Sequence, residues 1–177
     1  RSTLFPYTTL FRSIHSCWIS GAKVSAAKFK RFDHNDHAHL QRILERERKV
    51  YDNIFVVTES LFSMDGDIPE INIIANIVKE YESILIIDDA HGLGIINKHT
   101  HNIDFRDIDC NYIHTGTLSK SVASYGGYIA GKKVLIDYCI NFANSFVYTT
   151  ALPEFIVNSA YLTLAVIEEN MAEYLSL

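Results

Sequence analysis

No apolar run in this chain approaches the roughly 20 residues needed to cross a bilayer, so no spanning helix is expected. Basic residues are in the minority. Sixteen Lys and Arg against 21 Asp and Glu give a formal net charge of −5, which offers no pull toward nucleic acid or an anionic membrane surface. Cysteine is scarce: Cys17, Cys110 and Cys139 share no CxxC spacing. That points to reduced, buried thiols in a cytoplasmic protein rather than to disulfides or zinc. There is no internal repeat, and the three prolines make no linker. A Walker-type phosphate loop is missing, and so is the G-x-S-x-G nucleophile elbow, which leaves little for a P-loop or Ser-His-Asp reading.

What is present is the composition of a soluble globular protein, 48% hydrophobic and 21% charged over 177 residues, about one domain by length. Strand and helix patterns alternate along it. Residues 14–25 read as an opening helix or turn carrying His15. Residues 28–32 alternate polar and apolar as a short strand. Residues 33–36 are turn and N-cap chemistry, followed by a helix to about Lys49 with Leu40, Ile43 and Leu44 on one face. Residues 54–58 are a buried strand, and 63–67 a loop with a turn-forming Asp-Gly. Pro69 opens a helix with Ile71, Ile74, Ile77, Val78 and Tyr81 at helical spacing. Ile84-Leu85-Ile86-Ile87 is a second buried strand. Residues 97–109 form a polar connection. Strands are expected at 111–116, 126–131 and 145–150, with helices at 134–143 and from Pro153 to about Leu175. The pattern predicts an α/β fold with a central, mostly parallel sheet.

Chemistry gathers at two strand ends, where open α/β sheets bind ligands. After Ile87 come Asp88-Asp89-Ala90-His91. A carboxylate there can hold a positive partner; a helix cap or a magnesium ligand are the plainer uses. Gly116-Thr117-Leu118-Ser119-Lys120 places a lysine where desolvation would lower its pKa and let it form a Schiff base. A solvated surface lysine is the alternative. His34, His37 and His39 have a metal-like spacing across a turn, but solvated histidines and a helix start explain them as well.

Four motifs occur in order: residues 58–67 (TESLFSMDGD), 88–92 (DDAHG), 116–120 (GTLSK) and 146–153 (FVYTTALP). Together they resemble the α-oxoamine synthase family of fold-type I pyridoxal-phosphate enzymes, from about Ile14 to the C-terminus. The resemblance implies the fold of that family's large domain. It also implies pyridoxal 5'-phosphate as cofactor, held covalently by Lys120, which later moves the substrate's α-proton. Asp88 would pair with the pyridine nitrogen. His91 would hydrogen-bond the phenolic oxygen with support from Ser63, and His15 would stack on the ring. Thr117 would contact the phosphate, and Thr150 that of a second subunit. The implied reaction is decarboxylative condensation of L-alanine with a pimeloyl thioester, carried by coenzyme A or a carrier protein, on the route to biotin. The implied enzyme is a homodimer in its full-length form. A glycine C-acetyltransferase, an aminolevulinate-synthase-like member and an inactive fragment are the other readings.

Three departures stand beside the resemblance. Residues 96–102, INKHTHN, replace a glycine-rich run of the family. Residues 1–13 resemble a translated sequencing adapter and are set aside as non-native, leaving 14–177 as a partial cofactor-binding large domain. The family's Gly/Ser-rich phosphate segment would precede Ile14 and its small domain would follow Leu177, so little or no turnover is expected of these 177 residues.

Overall fold

A computed structural model of the chain describes residues 3–8, 14–96 and 103–169. Six strands form one sheet: β1 (Thr3–Thr8), β2 (Lys28–Phe32), β3 (Asn53–Glu59), β4 (Ile84–Asp88), β5 (Asn111–Thr117) and β6 (Gly127–Gly131). Their spatial order is β2-β1-β3-β4-β5-β6. All neighbours are parallel except the last pair, where β6 runs antiparallel to β5. The connections carry α1 (Ser16–Val24), α2 (His37–Glu47) and α3 (Ile71–Glu80). Beyond β6 come α4 (Lys133–Phe142), a short α5 (Asn144–Val147) and α6 (Glu154–Glu169).

Alternation along the central strands assigns the two faces. Ile54 and Val56 of β3, with Leu85 and Ile87 of β4, pack under Leu40 and Leu44 of α2 and Ile71, Ile74 and Val78 of α3. Val57 and Ile86 point the other way, to Ala22, Trp18 and Ile19 of α1. The sheet is therefore covered on both sides, which is why β3 and β4 read as continuous apolar runs. A smaller cluster, Val122, Ala160 and Ile167 with Leu93 and Leu118, seats α6 behind the β5–β6 turn. The helix starts follow local chemistry. Asp36 caps α2 by accepting from His39 N at 2.8 Å, and His15 caps α1 by accepting from Cys17 N through Nδ1 at 3.3 Å.

The structure departs from the sequence reading at three places. Thr3–Thr8, set aside above for want of a pattern, is a strand between β2 and β3. A parallel slot is filled by backbone pairing, so this strand says nothing of the segment's origin. Residues 145–150, expected as a strand, are instead α5 and the turn after it. Tyr148 N bonds to Asn144 O and Thr149 N to Phe146 O. A turn that satisfies its own backbone needs no neighbouring strand, and here that outweighs β-branched and aromatic propensity. The thiols are not buried: Cys17 is exposed and Cys110 and Cys139 are half-buried, because α1 turns Cys17 toward the cleft and α4 has no covering layer among the described residues. Residues 97–102 and the helix end expected near Leu175 lie outside the described residues. No helix among those described is long and apolar enough to cross a membrane.

Candidate active site

Parallel strands end together, and here the ends of β3, β4 and β5 place Glu59 beside Asp88 and Asp88 beside Thr115. Next to Asp88 and Thr115, on the α1 face, lies a cavity of about 480 Å³. Its walls include His15, Cys17 and Trp18 from the start of α1. Asp88 and Ala90 line it from the end of β4, and Thr115, Thr117, Ser119 and Lys120 from β5 and its turn.

Asp88 is 8% exposed. The Trp18 indole N–H donates to its Oδ2 at 2.7 Å and the Ala90 backbone N–H to its Oδ1 at 3.1 Å. A buried carboxylate needs such donors to stay charged. The turn that follows is held by its neighbour Asp89, which accepts from Ser60 Oγ. His114 Nε2 lies 3.0 Å from the other Asp89 oxygen, and Tyr128 OH donates to that oxygen at 3.5 Å. Burial and then the Asp89 charge raise the Tyr128 phenol well above its ordinary range. These contacts fix the base of the turn that presents His91.

Lys120 sits at the head of the turn between the antiparallel strands β5 and β6. That turn is closed by Leu118 N to Gly126 O, Ser124 N to Leu118 O and Ala123 N to Lys120 O, and by the Thr117 hydroxyl donating to Gly126 O at 3.1 Å. Gly126 takes φ +104°, a backbone that favours glycine, and a Cβ there would also displace the Leu152 side chain of the segment leading into α6. Lys120 Nζ lies 2.6 Å from His91 Nε2. Burial first, and then the Lys120 charge, hold the His91 imidazole below its ordinary pKa, which leaves a neutral ring able to accept the ammonium N–H. Thr117 Oγ1 and Ser119 Oγ are 2.7 Å apart on the same wall; with Thr117 donating to Gly126 O, the Ser119 hydroxyl is the one that can turn toward an anion.

The structure therefore gathers Lys120, Asp88, His15 and Thr117 around one cavity, with His91 bound to Lys120. Ser63 is exposed in the loop after β3 and does not line the cavity. Thr150 is exposed, in the turn before α6, and does not line the cavity. The three spaced histidines do not converge: His34 goes to Asp67 at 2.7 Å, His37 to Glu70 at 3.6 Å and His39 to Asp33 at 3.1 Å. Two participants had no role in the sequence reading. Trp18 left no signal, because only the packing of α1 aims it at Asp88. Glu59 did: a charged residue directly ending an apolar strand. Burial and then the Asp88 charge push it up to about 7.

A family model described as aminotransferase class I and II matches residues 10–175. A putative 8-amino-7-oxononanoate synthase of Methanococcus vannielii is 40% identical over 157 residues, 88% of this chain and 42% of that protein. Among solved structures, the 8-amino-7-oxononanoate synthase of Francisella tularensis superposes with a TM-score of 0.72 at 30% identity, over 97% of this chain and 49% of that one. Serine palmitoyltransferase of Sphingomonas wittichii superposes with a TM-score of 0.81, over 94% of this chain and 41% of that one; at 24% identity it shows the fold alone. The chain spans about two fifths of the length of the curated relatives it matches. A match over nearly the whole chain, on a sheet whose strand ends converge on Asp88 and Lys120, places the chain in the aminotransferase class I and II family, among the α-oxoamine synthases of the pyridoxal-phosphate-dependent fold-type I group.

Proposed function

We propose that the chain carries the cofactor-binding core of an acyltransferase that condenses L-alanine with a pimeloyl thioester, releasing carbon dioxide and a thiol and forming 8-amino-7-oxononanoate. The observation that carries the reading is the cavity itself, with a Lys120–His91 pair and the buried Asp88 in one site. The names of the curated relatives support the choice of substrates.

The residues present fit pyridoxal phosphate. A buried carboxylate that accepts two N–H bonds suits a protonated ring nitrogen, a lysine in the same cavity suits an aldehyde, and the Thr117–Ser119 hydroxyl pair suits a phosphate. When bound, the cofactor supplies an electron sink for the carbon that loses its proton. The chain's own groups do the rest. Asp88 would hold a proton on the ring nitrogen. Lys120 would take the proton from the amino acid's Cα and return one to the product. His91, neutral, would orient Lys120 and donate to the phenolic oxygen, with Ser63 supporting that region. His15 would lie against the ring, and Thr117 would hold the phosphate. Thr150, which faces outward, would serve a second subunit in a cytoplasmic homodimer.

The test is a visible absorbance spectrum of the chain with pyridoxal phosphate beside the Lys120→Ala variant. An imine band in the parent that is missing from the variant is expected. Equal spectra in both would overturn Lys120 as the anchor. Substrate choice is read separately, from product formed with alanine, glycine or serine against several acyl thioesters by the longer gene product.

A further inference from the structure

The inference rests on the pyridoxal-phosphate reading above. Glu59 ends β3 and is 5% exposed. Its partner in the parallel pairing of β3 with β4 is Asp88. Val57 and Ile86, two residues before each, point to α1, so both carboxylates share that face. The backbone N–H groups of His15 and Ser63 lie near the Glu59 carboxylate and favour its charged form. These are segments far apart in the chain, and the reading above places both beside the ring. A carboxyl buried next to another carboxyl is costly unless it does something the apolar alternative could not. Here it stands between the end of β3, the turn that caps α1 and the loop after β3.

We infer that Glu59 is a positioning residue of this site, tying the His15 turn and the Ser63 loop to the sheet beside Asp88. It acts through those residues and needs no contact with substrate. The charged and titratable groups that face it are Asp88 from β4, Lys120 from the β5–β6 turn and Cys17 from the start of α1. Protonation of Glu59 removes the repulsion with Asp88 and leaves an oxygen to accept from the backbone. Ionisation strengthens the attraction to the two backbone N–H groups and sets two like charges side by side.

Trp18 is the sole tryptophan of the chain, and its indole N–H is bound to Asp88, so its emission reports on this corner without any cofactor. The experiment titrates that emission between about pH 5 and 9, a range that spans the raised Glu59 carboxyl and lies above the ordinary carboxylate range. It uses the whole chain, as the parent, Glu59→Gln and Glu59→Ala, with circular dichroism to confirm folding. The parent should show a transition centred at about 7 that is missing from Glu59→Gln. Pyridoxal-phosphate affinity should fall about tenfold in Glu59→Ala, as expected for losing hydrogen bonds to a charged group, and Glu59→Gln should restore most of it. A transition that persists in Glu59→Gln, or parent-like affinity in Glu59→Ala, overturns the inference. If Glu59→Ala does not fold, the glutamine titration decides alone. If the parent binds no pyridoxal phosphate, the functional reading fails while the Trp18 titration still decides the place of Glu59.

Discussion

At the scale of single residues, the site is a set of groups whose charges are managed by neighbours. Glu59 has the largest consequence for pH. Its carboxyl is raised in the fold, to about 7 from 4.5, so the folded state binds a proton that the unfolded chain has released. Its contribution to stability is therefore complete below about 4.5 and lost as pH climbs through about 7, at most about 3 kcal/mol. His91 runs the other way. Its imidazole is lowered in the fold, so protonation of the unfolded chain erodes stability as pH falls. The clean measurement is a difference: denaturant midpoints of Glu59→Gln minus the parent should grow from pH 5 to pH 8. A flat difference would mean that Glu59 does not titrate as placed. Gly92 makes a steric case. A Cβ there would overlap Ser60 Oγ and Asp89 Oδ1, two buried polar groups that already bind each other. Gly92→Ala should cost about 1–3 kcal/mol of stability and weaken imine formation by Lys120, since the same turn carries His91.

At the scale of elements, β4 and the helices over it do the positioning. Leu85 and Ile87 are wholly buried against α2 and α3, and β4 ends in Asp88. Leu85→Ala should cost about 2–5 kcal/mol, read from the denaturant midpoint, while leaving the chemistry of the folded fraction intact. The α2 cap is a weaker joint. Asp36→Ala removes the bond from His39 N and should cost about 1 kcal/mol, with no change in cofactor affinity, because α2 lies on the face opposite the cavity. Loss of affinity in that variant would show that the two faces of the sheet are coupled.

Over the whole molecule, apolar surface is unevenly covered. The N-terminal two thirds hold most of the buried core. Along α4 to α6, Val134, Phe142, Phe146, Tyr148, Phe155 and Tyr161 are all exposed. So large an apolar surface is unusual on a protein that is monomeric in solution. The 177-residue chain should therefore associate as its concentration rises, seen in sedimentation velocity. Paired surface changes such as Phe155→Lys with Leu162→Glu should reduce that association at little cost in stability. A monomer at high concentration would count against this.

Local pattern by itself determined a good deal. Apolar runs bounded by turn residues identified β3 and β4, and helical spacing identified α2 and α3, because each element's burial is written in its own period. The ordered motifs marked Asp88 and Lys120, which the fold brings to one cavity, and His91, which it sets against Lys120. Tertiary structure decided what depends on neighbours. Residues 145–150 carry strand-forming side chains yet form a helical turn, since no strand among the described residues pairs with them. Nothing near Trp18 in sequence announces its bond to Asp88, which is 70 residues away; the packing of α1 on the sheet creates it. Glu59 is charged wherever it stands, but only the pairing of β3 with β4 sets it against Asp88 and makes its proton part of the site.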